Sequence, residues 1–414
     1  MLSILIIASH STFSCRSLST QVENIPAQFS NVESGSSETV PESSDSISPP
    51  FAFGRHSDID WEVRFNNPVC THSGKPTTWC DDSDREKAAK DSGIEDKLIE
   101  QLQSPLTAKI RLSYMTLSSK RIIQELCEQA KSRQLAIDIF IQKDLIFPPE
   151  AATGGYKDLI QCSVSNPSLR RGVSLHFDNW LFFKAPKAAP IAHANICFFD
   201  ALEKMTNPSG NIDKAVFTKL FDACIITNPQ SQSNELQFVA TPTPASMDSP
   251  YSLLLKEISN AKTNIKIAAH KITATNSGSF KIVDALIEKL KSGTEFQISI
   301  IFDDDTILKH KKVAGSESLN VSKEELEGYT RLIEAGAKIK FVDTNESAGL
   351  LMHSKYMIFD EQRIFTGAGN FSSASLLGKN TENFYVSSIP SLVNAYVKQW
   401  HNLNSRGLEE SEFK

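Results

Sequence analysis

A repeated order of strand, helix and strand constrains the fold most. Lys109 to Tyr114 reads as a strand, and Ser119 to Ser132 as an amphipathic helix with Ile122, Ile123, Leu126 and Ala130 on one side. Ala136 to Ile141 reads as a second strand. The order returns with a strand over Asn264 to Ala269, a helix over Phe280 to Lys291 carrying Ile282, Val283, Leu286, Ile287 and Leu290, and a strand over Glu295 to Phe302. Ile137 and Ile298 stand at equivalent points 161 positions apart, a period far too long for a solenoid. Strands alternating with helices imply βαβ units. The expected fold class is therefore α/β: two pseudo-symmetric lobes, residues 61–240 and 241–414, each a mixed, mostly parallel β-sheet flanked by helices.

Composition fits a soluble core and restricts the partners. The chain has 414 residues, 40% of them hydrophobic, and a net charge of −6. A protein that grips nucleic acid non-specifically carries a basic surface, and the one dense basic cluster here, Lys309-His310-Lys311-Lys312, adjoins Asp303-Asp304-Asp305 and reads as a solvated loop. The longest apolar run, Met1 to Ser9, is too short to span a bilayer and fits an export signal over 1–20, although no Lys or Arg precedes it. Thr12-Phe13-Ser14-Cys15 loosely matches a lipoprotein cleavage site, so the expected location is periplasmic, secreted or lipid-anchored. Residues 21–60 are rich in Ser, Glu, Pro and Asn and are expected to be a disordered linker.

Seven cysteines suit either redox compartment. Cys70 and Cys80 flank a short loop and suit a disulfide in an exported protein, or stand as free thiols. Cys127 falls on a helical pattern, while Cys197 and Cys224 sit in apolar, strand-like runs and read as small core residues. No CxxC pair offers zinc its usual thiolates. Neither a metal nor a cofactor is expected.

The chemistry concentrates in His353-Ser354-Lys355-Tyr356-Met357-Ile358-Phe359-Asp360, followed by Gly367-Ala368-Gly369-Asn370 and Glu382. In a strand His353 and Lys355 share a face, so both can meet one phosphate, while Tyr356 and Ile358 face the other way. Asp360, at the strand's end, is expected to brace the following turn. Gly367 and Gly369 let backbone approach closely, Asn370 can donate from its amide, and Glu382 suits an imidazole N–H. Upstream, His193-Ala194-Asn195-Ile196-Cys197-Phe198-Phe199-Asp200 repeats the histidine and aspartate at the same spacing, with Asn195 in the place of the lysine. Asn211 closes a displaced counterpart of the Gly-to-Asn segment, and His193 to Asp222 spans 29 positions, as His353 to Glu382 does. Cys224 to Thr227 is expected to parallel Phe384 to Ser387 as a closing strand.

This pattern resembles the phospholipase D superfamily, whose signature is HxKxxxxD with a Gly-to-Asn segment, over roughly residues 95 to 405. The resemblance implies two lobes meeting at one active site, where one histidine forms a phosphohistidine and the other protonates the leaving oxygen. It implies catalytic roles for His353, Lys355, His193, Asn370 and Glu382, with His193 and His353 symmetric candidates for attack. It implies substrate contacts from Asn195, Asn211, Gly367 and Gly369, and structural or orienting roles for Asp360, Asp200 and Asp222. Ala368 replaces the family's usual serine, and Asn195 its lysine. The implied activity is a phosphodiesterase of phospholipase D type: a glycerophospholipid head group is the favoured substrate, a superfamily nuclease acting on DNA or RNA is the first alternative, and an inactive phosphate-binding protein the second. A monomer working at a membrane surface is the expected state. His270, at the end of a strand, is the other histidine that could face a cleft mouth.

Overall fold

The computed structural model describes residues 51–65, 72–73, 78–79, 90–105, 107, 109–114, 119–141, 162, 179–185, 189–205, 213–227, 235–273, 280–293, 295–303, 323–342 and 352–408. The chain enters with an antiparallel hairpin, β1 (Phe51–His56) and β2 (Ile59–Phe65). Its first strand lies inside the expected disordered linker. Trp61, Val63 and Phe65 alternate into the core, so burial of one face of β2 holds the hairpin in place. A short pair follows, β3 (His72–Ser73) and β4 (Thr78–Trp79).

After helix α1 (Ile94–Gln103), strand β5 (Lys109–Tyr114), helix α2 (Lys120–Ser132) and strand β6 (Ala136–Ile141) form the first expected βαβ unit, with β5 and β6 parallel. Ser119 caps α2 by accepting the Ile122 N–H, and Ile122, Ile123, Leu126 and Ala130 are buried on its inner face. This unit has its own small core. Cys127 and Cys162 form a disulfide within it, contrary to the reading of Cys127 as a plain helical residue. Strand β7 (Asn179–Lys184) then pairs with β2 to complete a three-stranded sheet.

Two helices come next, α3 (Pro190–Met205) and α4 (Lys214–Ile225). The segment carrying His193, Asn195, Cys197 and Asp200 is therefore helical, and so is Cys224, where strands were expected; Asp222 lies on the same helix as Cys224. Ile191, Ala194, Asn195, Phe198, Ala201 and Leu202 are buried at helical spacing, and Phe198 packs edge to face against Phe217, Phe221 and Phe238. Burying each such ring contributes roughly 1.5–3 kcal/mol, which a strand presenting every second residue to the core would forfeit. The described residues here do not repeat the strands of the downstream segment.

The rest of the chain builds one seven-stranded mixed sheet. Its elements are β8 (Leu236–Thr241), α5 (Pro250–Asn260), β9 (Asn264–Ala269), α6 (Ile282–Lys291), β10 (Gln297–Asp303), α7 (Lys323–Glu334), β11 (Lys338–Val342), β12 (Lys355–Phe359), β13 (Arg363–Gly367), α8 (Ser373–Leu376), β14 (Glu382–Ser387) and α9 (Pro390–Arg406). The strand order is β11-β10-β9-β12-β13-β14-β8. The first three are parallel, and each later neighbour runs antiparallel. Strand β8, on the lobe-one side of the expected boundary at 240/241, belongs to this sheet. Helices α5, α6 and α7 cover the face that holds Ile267, Met357, Phe365 and Phe384. Helices α3, α4 and α9 and the small sheet cover the other, which holds Ala268, Tyr356, Ile358 and Tyr385. No helix among the described residues is long and apolar enough to cross a membrane.

Candidate active site

The sheet topology gathers strand ends at one rim: the carboxyl ends of β9 and β10, the start of β12, the end of β13 and the start of β14. His353 lies two residues before β12 and is buried. Both its neighbours are tethered, since the Met352 N–H donates to Asp303 Oδ2 at 2.7 Å and the Ser354 carbonyl accepts the His270 N–H at 3.0 Å. Asp303, read from sequence as part of a solvated loop, is fully buried and fixes the approach to the histidine. The His270 ring meets the His353 ring edge to face, with centroids 5.1 Å apart.

Lys355 opens β12 on the same face as Met357 and Phe359, and its ammonium donates to the His353 carbonyl. It is 2% exposed, an unusual position for a lysine. Glu382, 3% exposed, opens β14 and accepts from Ser375 Oγ at 3.0 Å and Asn380 Nδ2 at 3.1 Å. Burial pushes its carboxyl above the ordinary glutamate value; those bonds and the Lys355 charge oppose the shift without cancelling it. Asn370 sits at the same rim, because Phe371 bridges to Ile272 and its carbonyl accepts the Thr273 N–H at 2.9 Å. Asn370 Oδ1 is buried without a hydrogen-bond partner among the described residues.

Two expected substrate contacts have another explanation. A Cβ at Gly367 would lie 2.4 Å from the Asn383 carbonyl oxygen, and one at Gly369 2.5 Å from Phe384 Cζ. These glycines let β13 and the following turn close on β14. Asp360 lies in the turn that follows β12. With Glu361 it fills the two central positions of the turn after β12 that the bond from the Gln362 N–H to the Phe359 carbonyl closes, both at positive φ (52° and 56°), as a type I′ turn requires. Its carboxylate accepts from the N–H groups of Lys262, Thr263 and Asn264 and from the Thr263 hydroxyl, at 2.7–3.1 Å. It ties the turn to the start of β9.

The upstream cassette is not part of this rim. Asn195 Oδ1 accepts from the Tyr385 hydroxyl at 3.0 Å, on the sheet face opposite Lys355, and Asn195 Nδ2 donates to its own helix. Asp200 pairs with Arg111 of β5 at 2.5 Å. Asp222 accepts the Ser246 N–H at 2.8 Å, and bonds from Ser246 hold its carboxyl below the ordinary value. His193 faces Cys197 and Cys224, which form a disulfide across α3 and α4 instead of standing as separate core thiols. The cause is the helix: residues that alternate faces in a strand spread around α3 instead. Asn211 and the pair Cys70 and Cys80 lie outside the described residues, as does Cys15. An open groove of about 690 Å³ lies at the far end of the sheet, lined by Lys262, Lys266, Lys289 and Glu361, and carries none of the motif side chains.

Sequence reasoning passed over Asp303, Ser375 and Asn380. The signal for Asp303 was its position at the end of an apolar strand, where a buried acid needs a partner.

A mixed sheet with a histidine, a buried lysine and a buried glutamate at one rim defines a phosphodiesterase-like α/β domain. Residues 254–403 match the family described as "Cardiolipin synthase, PLD-like domain", so this part of the chain is a phospholipase D-like domain. No curated protein matches the chain. Among solved structures, it is similar to Nuc from Salmonella typhimurium, at 22% identity over 42% of this chain and 97% of that one, TM-score 0.32. It is also similar to NucT from Helicobacter pylori, at 17% identity over 42% and 98%, TM-score 0.32. A third is phosphatidylserine synthase from Haemophilus influenzae Rd KW20, at 10% identity over 76% and 85%, TM-score 0.46.

Proposed function

We propose that the chain hydrolyses a phosphodiester through a phosphohistidine on His353, with a glycerophospholipid as substrate. The observation that carries this reading is the burial of Lys355 between His353 and Glu382. A cation kept dry beside an imidazole stabilises the charge that develops on phosphoryl oxygens, and one preorganised donor contributes about 3 kcal/mol to such a transition state. His353 attacks phosphorus as the bond from phosphorus to the leaving alcohol oxygen breaks, solvent protonates that oxygen, and water then takes the phosphoryl group from the phosphohistidine; Lys355 and Asn370 hold the non-bridging oxygens, and Glu382 lies beside the lysine. His270, in edge contact with His353, is a positioning residue: in-line displacement puts the leaving oxygen opposite the attacking ring, not beside it.

Several observations favour lipid over nucleic acid. The net charge is −6, and Lys271 at this rim is paired with Glu325 at 3.0 Å. The matched family description names a cardiolipin synthase. The similarity to Nuc keeps a nuclease as the second reading. Two disulfides among the described residues support export. Head-group release from phosphatidylcholine and cardiolipin vesicles, run beside plasmid nicking, decides between the two. The expected result is release that His353→Ala abolishes. Nicking without release would transfer the site to nucleic acid, and neither activity in the folded chain would leave a phosphate-binding protein.

A further inference from the structure

We propose that His193, Cys197 and Cys224 form a redox-gated site for one zinc-class divalent ion, on the sheet face away from the phosphodiesterase rim. His193 and Cys197 lie four residues apart on α3 and so project from one side of it. Cys224 comes from the facing turn of α4. The ligand atoms of the three side chains all lie within 4.8 Å of one another. His193 Nε2 is 3.4 Å from Cys197 Sγ. A tetrahedral zinc with ordinary bond lengths holds an imidazole nitrogen and a thiolate sulfur about 3.5 Å apart, and two thiolates about 3.8 Å apart. The nitrogen-to-sulfur spacing is thus in place already.

The sulfurs set the gate. Joined as a disulfide they cannot both ligate one ion, and His193 Nε2 instead faces the Cys224 carbonyl oxygen at 3.1 Å. A dithiol opens the bond by passing two electrons and its two protons to the sulfurs of Cys197 and Cys224 and leaves as its own disulfide; a phosphine passes two electrons, and water supplies both protons and the oxygen of the phosphine oxide. Zinc then displaces the two thiol protons and takes neutral His193 as third ligand. His193 and Cys224 are only partly buried, which leaves the fourth position to water.

Both helices are anchored without the disulfide. Asn195 and Asp200 tie α3 to Tyr385 and Arg111. Asp213 caps α4, Lys214 donates to the Gly378 and Lys379 carbonyls, and Asp222 accepts from Ser246. The sulfurs can therefore separate while the helices stay, and no part of this site depends on the phosphodiesterase reading.

Cobalt(II) titration of the full chain tests the site, because thiolate ligation gives a near-ultraviolet charge-transfer band that other ligands do not. The reduced, chelator-cleared protein is expected to bind one cobalt with that band, exchangeable for zinc, while the oxidised protein shows none. Cys224→Ser is expected to lose the band, and His193→Ala to bind at least about tenfold more weakly. Equal bands in the oxidised and reduced wild type, or a band unchanged in Cys224→Ser, would overturn the proposal. So would absence of the band in wild type whose Cys197 and Cys224 are shown to be free thiols by alkylation mapping. The wild-type comparison stands even if a variant fails to fold.

Discussion

The segments 193–200 and 353–360 carry a histidine and an aspartate at the same spacing, yet one is a helix and the other leads into a buried strand. At the rim, every residue of β12 is buried, and the strand's two faces serve two cores. In α3, apolar residues recur at helical spacing behind Pro190, and only one side is committed to the sheet. Identical spacing thus yields a shared face in one case and dispersal in the other. A motif acquires chemical meaning only through the secondary structure that aims it.

The largest expected contrast lies between the two histidines. His353→Ala is expected to lower turnover by at least about 10³-fold, as removal of a nucleophile does, and His193→Ala by less than about fivefold, since it faces away from the rim. Equal losses on vesicle hydrolysis would restore the two-lobed site. Next comes Lys355→Met, with a loss of about 10²- to 10³-fold in kcat, against a small effect of Asn195→Asp on kcat measured in variants of matched folding.

Smaller effects fall on stability. Gly367→Ala is expected to cost about 1–3 kcal/mol by forcing a Cβ into the Asn383 carbonyl, readable as a lower denaturation midpoint. A value near zero would return this glycine to substrate contact. Asp360→Asn is expected to cost about 1–2 kcal/mol at neutral pH through weakened bonds to the start of β9. Burial raises the Asp360 carboxyl, but bonds from Thr263, Asn264 and Lys262 outweigh it and leave the folded value below 3.8. The stability it supplies is therefore present above pH 3.8 and lost as pH falls through the lower folded value. The wild type should show this acid loss and Asp360→Asn should not, in urea unfolding followed from pH 5 to 2.

Much of the strand–helix–strand architecture was legible in the sequence. The units β5-α2-β6 and β9-α6-β10 follow from alternation and helical periodicity, which act locally, and the split of Lys355 from Tyr356 and Ile358 follows from strand parity. What stayed hidden depends on distant partners. The disulfides join residues 35 and 27 positions apart, and no spacing rule selects them. Asp303 looked solvated because Asp304 and Asp305 follow it, and its partner at Met352 is 49 positions away. Hairpin β1-β2 was masked by the polar chain before it, although Trp61, Val63 and Phe65 alternate plainly.

The central claim is that His353 carries the covalent intermediate and His193 does not. Its most direct test is to react the protein briefly with a chromogenic phosphodiester, quench in alkali, where phosphohistidine survives, and map the adduct by mass spectrometry. The account predicts added phosphoryl mass on the peptide containing His353. An adduct on the peptide containing His193 would contradict it.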